Sequence, residues 1–218
     1  MPATLPPDSW ILEGVMTTLA EVGAGSPAHA VLNIAPMGPI VDGRLERFVF
    51  RPFKTSTTYL NLKATGEGVF HVTDDVLLIA RGAMGLVAAG TDVAIRPARE
   101  VRGFVLADAC RYYELRVRAL DDSQERTRIE ADVVAGETLR EFFGFNRARH
   151  AVLEAAILVS RLFLTGPDHV LVELDRLQII VDKTGSDPEH MAMNELRHHV
   201  QSGADAPRPS SDRTVAND

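Results

Sequence analysis

Two neighbouring segments of the chain alternate apolar and polar residues with a period of two. In residues 113–119, Tyr113, Leu115 and Val117 alternate with charged side chains, and residues 126–133 repeat the pattern after the polar stretch DDSQE. This period places successive side chains on opposite faces of a strand. The two segments therefore predict an antiparallel pair with one apolar and one polar face, which restricts the chain to a fold built on an antiparallel sheet.

The rest of the first two thirds predicts further short strands. They are residues 11–19, 28–36, 47–51 and 68–73. The first two flank the Gly-rich stretch EVGAGSP and predict a hairpin. The stretch MGPIVDGRLE predicts a loop, TTYLNLKA a helix that ends at Gly66, and Asp74 the start of another helix, whereas residues 83–103 have no regular pattern. Six strands without long helical crossovers predict an antiparallel barrel.

The hydrophobic period changes from about residue 137 onward. One apolar stripe at helical spacing consists of Ala148, Ala151, Val152, Ala155, Val159 and Leu162. Asn146 is a suitable N-cap for this helix. A second helix is predicted from Asp168 to Gly185, and a third begins at Asp187, where Pro follows in the first turn.

These patterns predict three parts of the chain. Residues 8–136 form the barrel, and residues 137–202 form a helical extension packed on the barrel or on a dimer partner. Residues 203–218 have almost nothing to bury and predict a flexible tail.

Composition and charge exclude several classes of protein. The chain has 23 Lys and Arg against 30 Asp and Glu, and a net charge of −7 argues against nucleic-acid binding. Cys110 is the single cysteine, which excludes an intramolecular disulfide and indicates a small core residue. The start of the sequence has no signal-peptide pattern, and the apolar run AVLEAAILVSRLFL is too short to span a bilayer. We expect a soluble cytoplasmic protein without a membrane partner.

The stretch RPFKTSTTYLNL concentrates cations and hydroxyl groups at the end of one strand and the start of one helix. Residues 44–63 contain five cations and one acid. Four hydroxyl residues, Thr55 to Thr58, precede a helix whose first N–H groups have no acceptor inside the helix. Arg51 and Lys54 lie one short turn away, and Asn61 follows one helical turn later. This combination predicts a phosphate site, although helix capping and solvated arginines explain each residue taken alone.

Other candidate residues have weaker patterns. His71 precedes an acidic pair and predicts either a proton donor or a histidine hydrogen-bonded within the sheet, of which the second is the commoner. Arg147 precedes a helix start where it could close over an anion. His150 and Glu154 have the i, i+4 spacing of two metal ligands, but two ligands do not make a site, and we predict no metal. No catalytic residue is identified.

A series of motifs in fixed order resembles a known family. They are EGVMTT, NIAPMG, RPFKTSTTYLNL, VTDD, GFNRARHAVLEAAILVSR and IIVDKTG. Over residues 10–186 the chain resembles an uncharacterised family of FMN-binding split-barrel flavoproteins, catalogued as a domain of unknown function and related in fold to flavin reductases and pyridoxamine-phosphate oxidases. The resemblance implies a mainly β protein with α-helices, a six-stranded antiparallel split β-barrel with a C-terminal helical extension, and a homodimer with FMN at the subunit interface.

The resemblance also implies a set of cofactor-binding residues. The FMN phosphate would contact the stretch from Arg51 to Thr57, and the isoalloxazine ring would lie along NIAPMG. The implied residues are Ala35, Pro36, Met37, Gly38, Arg51, Pro52, Phe53, Lys54, Thr55, Ser56, Thr57 and Asn61.

Three functions agree with this pattern. The first is an oxidoreductase that transfers hydride or electrons between FMN and a small soluble substrate or NAD(P)H. The second is an FMN-binding protein without turnover, such as an electron carrier, flavin store or sensor. The third is a barrel of the same fold that binds pyridoxal phosphate or another phosphorylated ligand. An open polar pocket over the ring, with walls from His71, Asp74, Arg147 or residues 83–103, would favour the first.

Overall fold

The computed structural model describes residues 7–20, 32–87, 92–142 and 144–203. Its strands are β1 (Ser9–Ile11), β2 (Gly14–Leu19), β3 (Leu32–Met37), β4 (Ile40–Asp42), β5 (Arg47–Phe50), β6 (Glu67–Val72), β7 (Ile95–Pro97), β8 (Phe104–Leu106), β9 (Arg111–Asp121) and β10 (Arg128–Thr138). Its helices are α1 (Thr57–Thr65), α2 (Val76–Ala83), α3 (Arg147–Val159), α4 (Leu162–Thr165), α5 (Pro167–Thr184) and α6 (Asp187–Gln201).

One antiparallel sheet contains most of the strands. Its order is β1-β4-β5-β10-β9-β6-β2-β3, and β7 and β8 form a separate ribbon. The predicted fold class, an antiparallel split barrel with helices, is confirmed, but the described residues contain eight strands in this sheet and not six. The additional strands β1 and β4 have three residues each, too few to show a period of two. The predicted loop MGPIVDGRLE therefore contains β4.

The predicted hairpin of the first strands is confirmed. β2 pairs with β3 from Gly14 opposite Met37 to Leu19 opposite Leu32. The Gly-rich turn between them lies outside the described residues. The pair of segments that alternate most clearly is also confirmed, as β9 and β10.

Aromatic side chains fill the inner face of the sheet. The ring of Phe48 lies 5.5 Å from that of Phe70 and 5.1 Å from that of Tyr113, between centroids. Tyr59 and Leu62 of α1 close this core, so that α1 is anchored by its apolar side. The start of α1 is consequently held at one end of the barrel.

The helices α2, α3, α5 and α6 cover part of the outer face of the sheet. Val15 of β2 and Ile34 of β3 belong to the same buried cluster as apolar residues of these helices. α3 begins after the predicted N-cap Asn146, and α6 begins at Asp187 as predicted. α5 begins one residue before the predicted cap, because Pro167 occupies its first turn and Gly166 is its N-cap.

The segment 83–103, which has no regular sequence pattern, contains β7, and β7 and β8 form a ribbon on the outer face of the sheet. Glu114 of β9, expected on a wet face, is fully buried. Its carboxylate accepts the backbone N–H groups of Arg99 at 3.0 Å, Glu100 at 2.6 Å and Val101 at 3.1 Å. The predicted polar face is therefore covered here by the turn between β7 and β8.

None of the described helices has the length and the apolar run that a bilayer crossing requires. The predicted tail lies outside the described residues except for Gly203. The boundary predicted between residues 136 and 137 stays a prediction.

Candidate functional site

The predicted phosphate site is the turn between β5 and α1, here called the cradle (residues 51–57). Ser56 is the N-cap of α1, with an extended backbone (φ −76°, ψ 141°), and its Oγ accepts the N–H of Tyr59 at 3.2 Å. The N–H groups of Thr57 and Thr58 have no acceptor among the described residues, as helix geometry dictates. Two backbone donors are therefore free at the positive end of the helix.

The hydroxyl groups of the cradle divide into two kinds. Ser56 caps the helix, and Thr58 is buried, where its Oγ1 accepts an amide N–H of Asn33 at 3.1 Å. Thr55 and Thr57 are exposed, and within the described residues their side chains form no hydrogen bond. These two hydroxyls, together with the exposed Lys54, can contact a ligand.

Asn61 lies beneath the cradle and not on its surface. Its side chain is buried, and its Nδ2 donates to Oγ1 of Thr18 at 3.0 Å. Asn33 donates to the same oxygen at 3.3 Å. This cluster joins α1 to β2 and β3, so that the geometry gives Asn61 a positioning role for the helix.

The segment before β10 runs alongside the cradle. The N–H and Oγ1 of Thr127 both donate to the Pro52 carbonyl oxygen, at 3.0 and 2.9 Å. Phe53 is bridged to Arg126, whose Cζ lies 5.1 Å from the centroid of the Phe53 ring. These contacts fix Arg126 beside the cradle.

Three arginines from separate parts of the sequence meet here, and we call them the arginine cluster: Arg51, Arg126 and Arg161. Arg161 directly precedes α4, and Phe163 of that helix meets Phe53 edge to face, with centroids 5.9 Å apart. Burial, with the nearby Arg161 and Arg51, lowers the pKa of Arg126. None of the three forms an ion pair with a carboxylate of the described residues.

Sequence reasoning missed Arg126 and Arg161. The alternation of residues 126–133 places Arg126 on a polar strand face, and Arg161 lies inside the apolar run AVLEAAILVSRLFL. No local pattern brings either residue to the cradle, because both arrive there through long-range pairing and helix packing.

The predicted ring contacts, Ala35, Pro36, Met37 and Gly38, lie at the end of β3. Among the described residues β3 is the last strand of the sheet, and its outer edge has no partner strand there. Pro36 suits such an edge and packs against α2, since a Cβ added at Gly82 would lie 3.0 Å from Cδ of Pro36. All four residues are partly exposed and can contact a ligand through their backbone.

Glu13 is a further residue of this region that the sequence did not indicate. A Cβ added at Gly38 would lie 2.6 Å from Oε1 of Glu13, so that the close approach at Gly38 is made by this carboxylate. Burial and the neighbouring Glu154 raise the pKa of Glu13, and Arg161 acts in the opposite direction. Arg161 therefore lies within electrostatic reach of both Glu13 and Arg126.

His71 is part of the sheet and not of a pocket. It is fully buried, its Nε2 accepts the N–H of Leu106 at 3.0 Å, and its Nδ1 donates to the Val15 carbonyl oxygen at 3.1 Å. Burial lowers the pKa of His71 to about 3. The interpretation of His71 as a hydrogen-bonded histidine within the sheet is confirmed.

Asp74 is engaged in an ion-pair network away from the cradle. Its carboxylate pairs with Arg140 and with Arg149, and Arg149 also pairs with Glu189 at 3.1 Å. The Arg140 hydrogen bond is the main cause that lowers the pKa of Asp74. This network links α3 and α6 to the start of α2, which is a structural role.

The other sequence candidates are not brought to the cradle. Arg147 begins α3, whereas Arg161 follows its end, and a rise of ~1.5 Å per residue separates them by on the order of 20 Å. Nδ1 of His150 lies 2.7 Å from the Asn146 carbonyl oxygen. Across the described residues, no group of three His, Cys, Asp or Glu side chains is placed to hold a metal.

Comparisons with known families match most of the chain. The family model described as "Protein of unknown function (DUF447) N-terminal domain" matches residues 20–140. The model described as "Protein of unknown function (DUF447)" matches residues 146–198. No curated protein matches the chain.

Two solved structures are similar to this chain. The FMN-bound DUF447 protein of Methanosarcina mazei is 25% identical, with a TM-score of 0.69, over 87% of this chain and 94% of that one. A flavin reductase domain protein of Arthrobacter sp. FB24 is 12% identical, with a TM-score of 0.50, over 61% of this chain and 79% of that one. The second likeness shows the fold alone.

Proposed function

Since the chain belongs to the DUF447 family, we propose that it is a flavoprotein that binds FMN and uses it as an oxidoreductase. The observation that carries the proposal is the cradle at the start of α1. There, N–H groups without an acceptor and cations without an ion pair among the described residues lie beside exposed hydroxyls. The FMN-bound relative of the same family supports the identity of the cofactor.

The cradle fits a phosphate group. Arg51 offers a guanidinium that can bind two oxygens, Lys54 adds a second cation, and Thr55 and Thr57 offer hydroxyl donors beside the free N–H groups. Ser56 caps the helix, so that its contribution is to hold the first turn in place. Pro52, Phe53 and Asn61 position this turn against the neighbouring strands and do not need to touch the phosphate.

The end of β3 is the proposed contact for the ring of the flavin. Backbone groups of Ala35 to Gly38 lie at a sheet edge, where they can hydrogen-bond to the polar edge of the ring. FMN supplies hydride or electron transfer, and this chain supplies binding, orientation and the local electrostatic field. Glu13, which lies against Gly38 and has a raised pKa, is a titratable group that contributes to this field.

The proposed assembly is a homodimer in the cytoplasm with FMN at the subunit interface. The free edge of β3 and the exposed apolar side chains of Leu164, Val172 and Ile179 supply surfaces for a second copy. Sedimentation equilibrium of the flavin-loaded protein tests the dimer, and a monomer at micromolar concentration would contradict it.

The first experiment is the visible absorption spectrum of the purified protein, with mass spectrometry of the molecule released on denaturation. We expect a two-band yellow spectrum and released FMN. A colourless protein that also takes up no added FMN would contradict flavin binding, and release of pyridoxal phosphate would favour the third function named above.

The oxidoreductase part of the proposal has its own test. The flavin-loaded protein is mixed anaerobically with NADH or NADPH, and bleaching of the flavin absorbance is followed. Bleaching within the time of a catalytic turnover supports an enzyme. Bound flavin that neither donor reduces, and that no small electron acceptor reoxidises after chemical reduction, would favour a flavin store or sensor.

A further inference from the structure

The arginine cluster is built by three separate stretches of chain. Arg51 follows β5, Arg126 precedes β10, and Arg161 lies between α3 and α4. The bonds from Thr127 to Pro52 fix the register of the first two stretches. The ring contact of Phe53 with Phe163 fixes the third. Packing therefore fixes the backbone of the three stretches that bring these arginines to the cradle.

The three arginines of the cluster form no ion pair with a carboxylate of the described residues, although the Glu13 carboxylate lies within electrostatic reach of Arg161. Ten other arginines of the described residues form ion pairs with carboxylates: Arg47, Arg81, Arg96, Arg116, Arg118, Arg128, Arg140, Arg149, Arg176 and Arg197. Arg51, Arg126 and Arg161 form none within the same residues. Like charges held together repel each other, and a bound anion removes that repulsion.

The aromatic side chains beside the cluster favour a bound anion over solvent. Phe53 lies under the Arg126 guanidinium, and the half-exposed Phe163 packs against its edge. Apolar walls reduce the local dielectric constant, so that a charge-assisted hydrogen bond formed here is stronger than one in bulk water.

Arg126 and Arg161 add positive charge to the two cations that the cradle itself supplies. A phosphate monoester carries close to two negative charges at neutral pH. Within the cradle only Arg51 and Lys54 are cationic, and Lys54 is exposed. Arg126 and Arg161 bring two planar guanidinium groups, which match the geometry of phosphate oxygens.

We infer that Arg126 and Arg161 join Arg51 and the start of α1 in one binding site for a phosphate monoester dianion. The inference rests on the proposed function, in which this dianion is the phosphate of FMN. The site then selects the phosphorylated flavin over riboflavin, and the selection depends on a residue of the helical segment.

The test compares FMN with riboflavin in three single variants. Arg126→Gln and Arg161→Gln each remove one guanidinium, and Arg102→Gln is the matched control, an exposed arginine on the β7–β8 turn with the same change in charge. Affinities are measured by flavin fluorescence titration at fixed ionic strength. We expect FMN to bind roughly 10-fold or more weakly to the first two variants. Riboflavin affinity and the control should be unchanged.

Other outcomes overturn the inference. An equal loss for riboflavin and FMN means that the arginines support the ring or the fold and not the phosphate. An equal loss of FMN affinity in Arg102→Gln means that the loss comes from the change in net charge and not from the site. Unchanged FMN affinity in both cluster variants removes Arg126 and Arg161 from the site.

A third arm separates this inference from the proposed function. Thermal unfolding is followed in inorganic phosphate and in chloride of equal ionic strength, for the wild type and for the double variant of Arg126 and Arg161. If the wild type binds no flavin, the proposed function fails, but a rise in melting temperature with phosphate that the double variant lacks still supports the site. No effect of phosphate on such a flavin-free wild type overturns both.

Discussion

At the scale of single residues, Arg51 is the cation that both the sequence and the geometry place at the cradle. We expect Arg51→Ala to weaken FMN binding by on the order of 1.5–3 kcal/mol, the range for hydrogen bonds to charged groups. Stability should be little changed, because the Arg51 side chain has no hydrogen bond among the described residues. Fluorescence titration and thermal unfolding measure the two effects.

The matched control for Arg51 is Arg44→Ala, which changes an exposed arginine in the turn between β4 and β5. FMN affinity should not change in this variant. Wild-type affinity in Arg51→Ala would remove Arg51 from the site.

The buried His71 makes stability depend on pH. Burial lowers its pKa from 6.5 to about 3. As the pH falls below 6.5, His71 becomes protonated in the unfolded chain but stays neutral in the native state until about pH 3. Protonation therefore stabilises the unfolded state relative to the native state in this range. The free energy of unfolding should therefore fall by up to ~1.4 kcal/mol for each pH unit of acidification across this window. Above the window, the protonation of His71 no longer changes the free energy of unfolding.

The comparison variant for this effect is His71→Gln, which does not titrate. Its overall stability should be lower, because two buried hydrogen bonds are disturbed. Its unfolding free energy, measured in urea between about pH 6 and pH 4, should vary less steeply than that of the wild type. Parallel curves would show that His71 is not the source.

Single residues were predictable where the signal is local. The cradle hydroxyls and Arg51 are adjacent in sequence, and helix-capping chemistry alone places them together. Arg126, Arg161 and Glu13 were not predictable, since each reaches the site through contacts more than 20 residues away in the chain, from Phe53 to Phe163 or from Glu13 to Gly38.

At the scale of elements, α1 has one side for packing and one for a ligand. Asn61→Ala should lower stability by about 1 kcal/mol or more, because the buried hydroxyl of Thr18 loses a donor. Thr57→Ala should leave stability nearly unchanged and weaken FMN binding. Chemical denaturation and flavin titration on both variants check this division, and a reversed pattern would place Asn61 on the ligand.

The β7–β8 ribbon depends on one buried carboxylate. Glu114→Gln replaces an acceptor of three backbone N–H groups with an amide that can accept at one oxygen only. We expect a loss of about 1–3 kcal/mol and faster hydrogen exchange in residues 98–106. The exposed Glu125→Gln is the control, and equal exchange in the two variants would contradict the anchoring role.

Helices and strands were predicted well where their capping residues and their hydrophobic period lie within or next to the element itself. α1, with Ser56 before it and Gly66 at its end, was placed from sequence, and so were β9 and β10. The ribbon was not, because residues 95–106 owe their conformation to Glu114 and to the outer face of the sheet. A three-residue strand has no period of its own that could reveal it.

At the scale of the whole molecule, the helices complete the barrel. Val15 and Ile34 on the outer face of the sheet are buried in one cluster with apolar residues of α2, α3, α5 and α6. We expect a fragment of residues 1–142 to expose this apolar face and to aggregate, whereas co-expression with residues 144–218 should restore a particle that remains in solution. Size-exclusion chromatography of both preparations is the measurement.

A fragment that stays monomeric and binds FMN as tightly as the full chain would contradict this prediction.

The fold class was predictable because strand alternation and helical period occupy separate stretches of sequence. The mutual packing of these stretches was not, since the period of a helix does not specify which surface it covers.

The boundary between the two family models passes through the arginine cluster. Arg51 and Arg126 lie in the segment that one model matches, and Arg161 lies in the segment matched by the other. In evolutionary terms the two segments are expected to change together. A recombined gene that joins this barrel to helices of another lineage would keep the fold only if the apolar faces still match. It would keep the arginine cluster only if position 161 again carries a cation. The segments are therefore expected to be inherited as a pair.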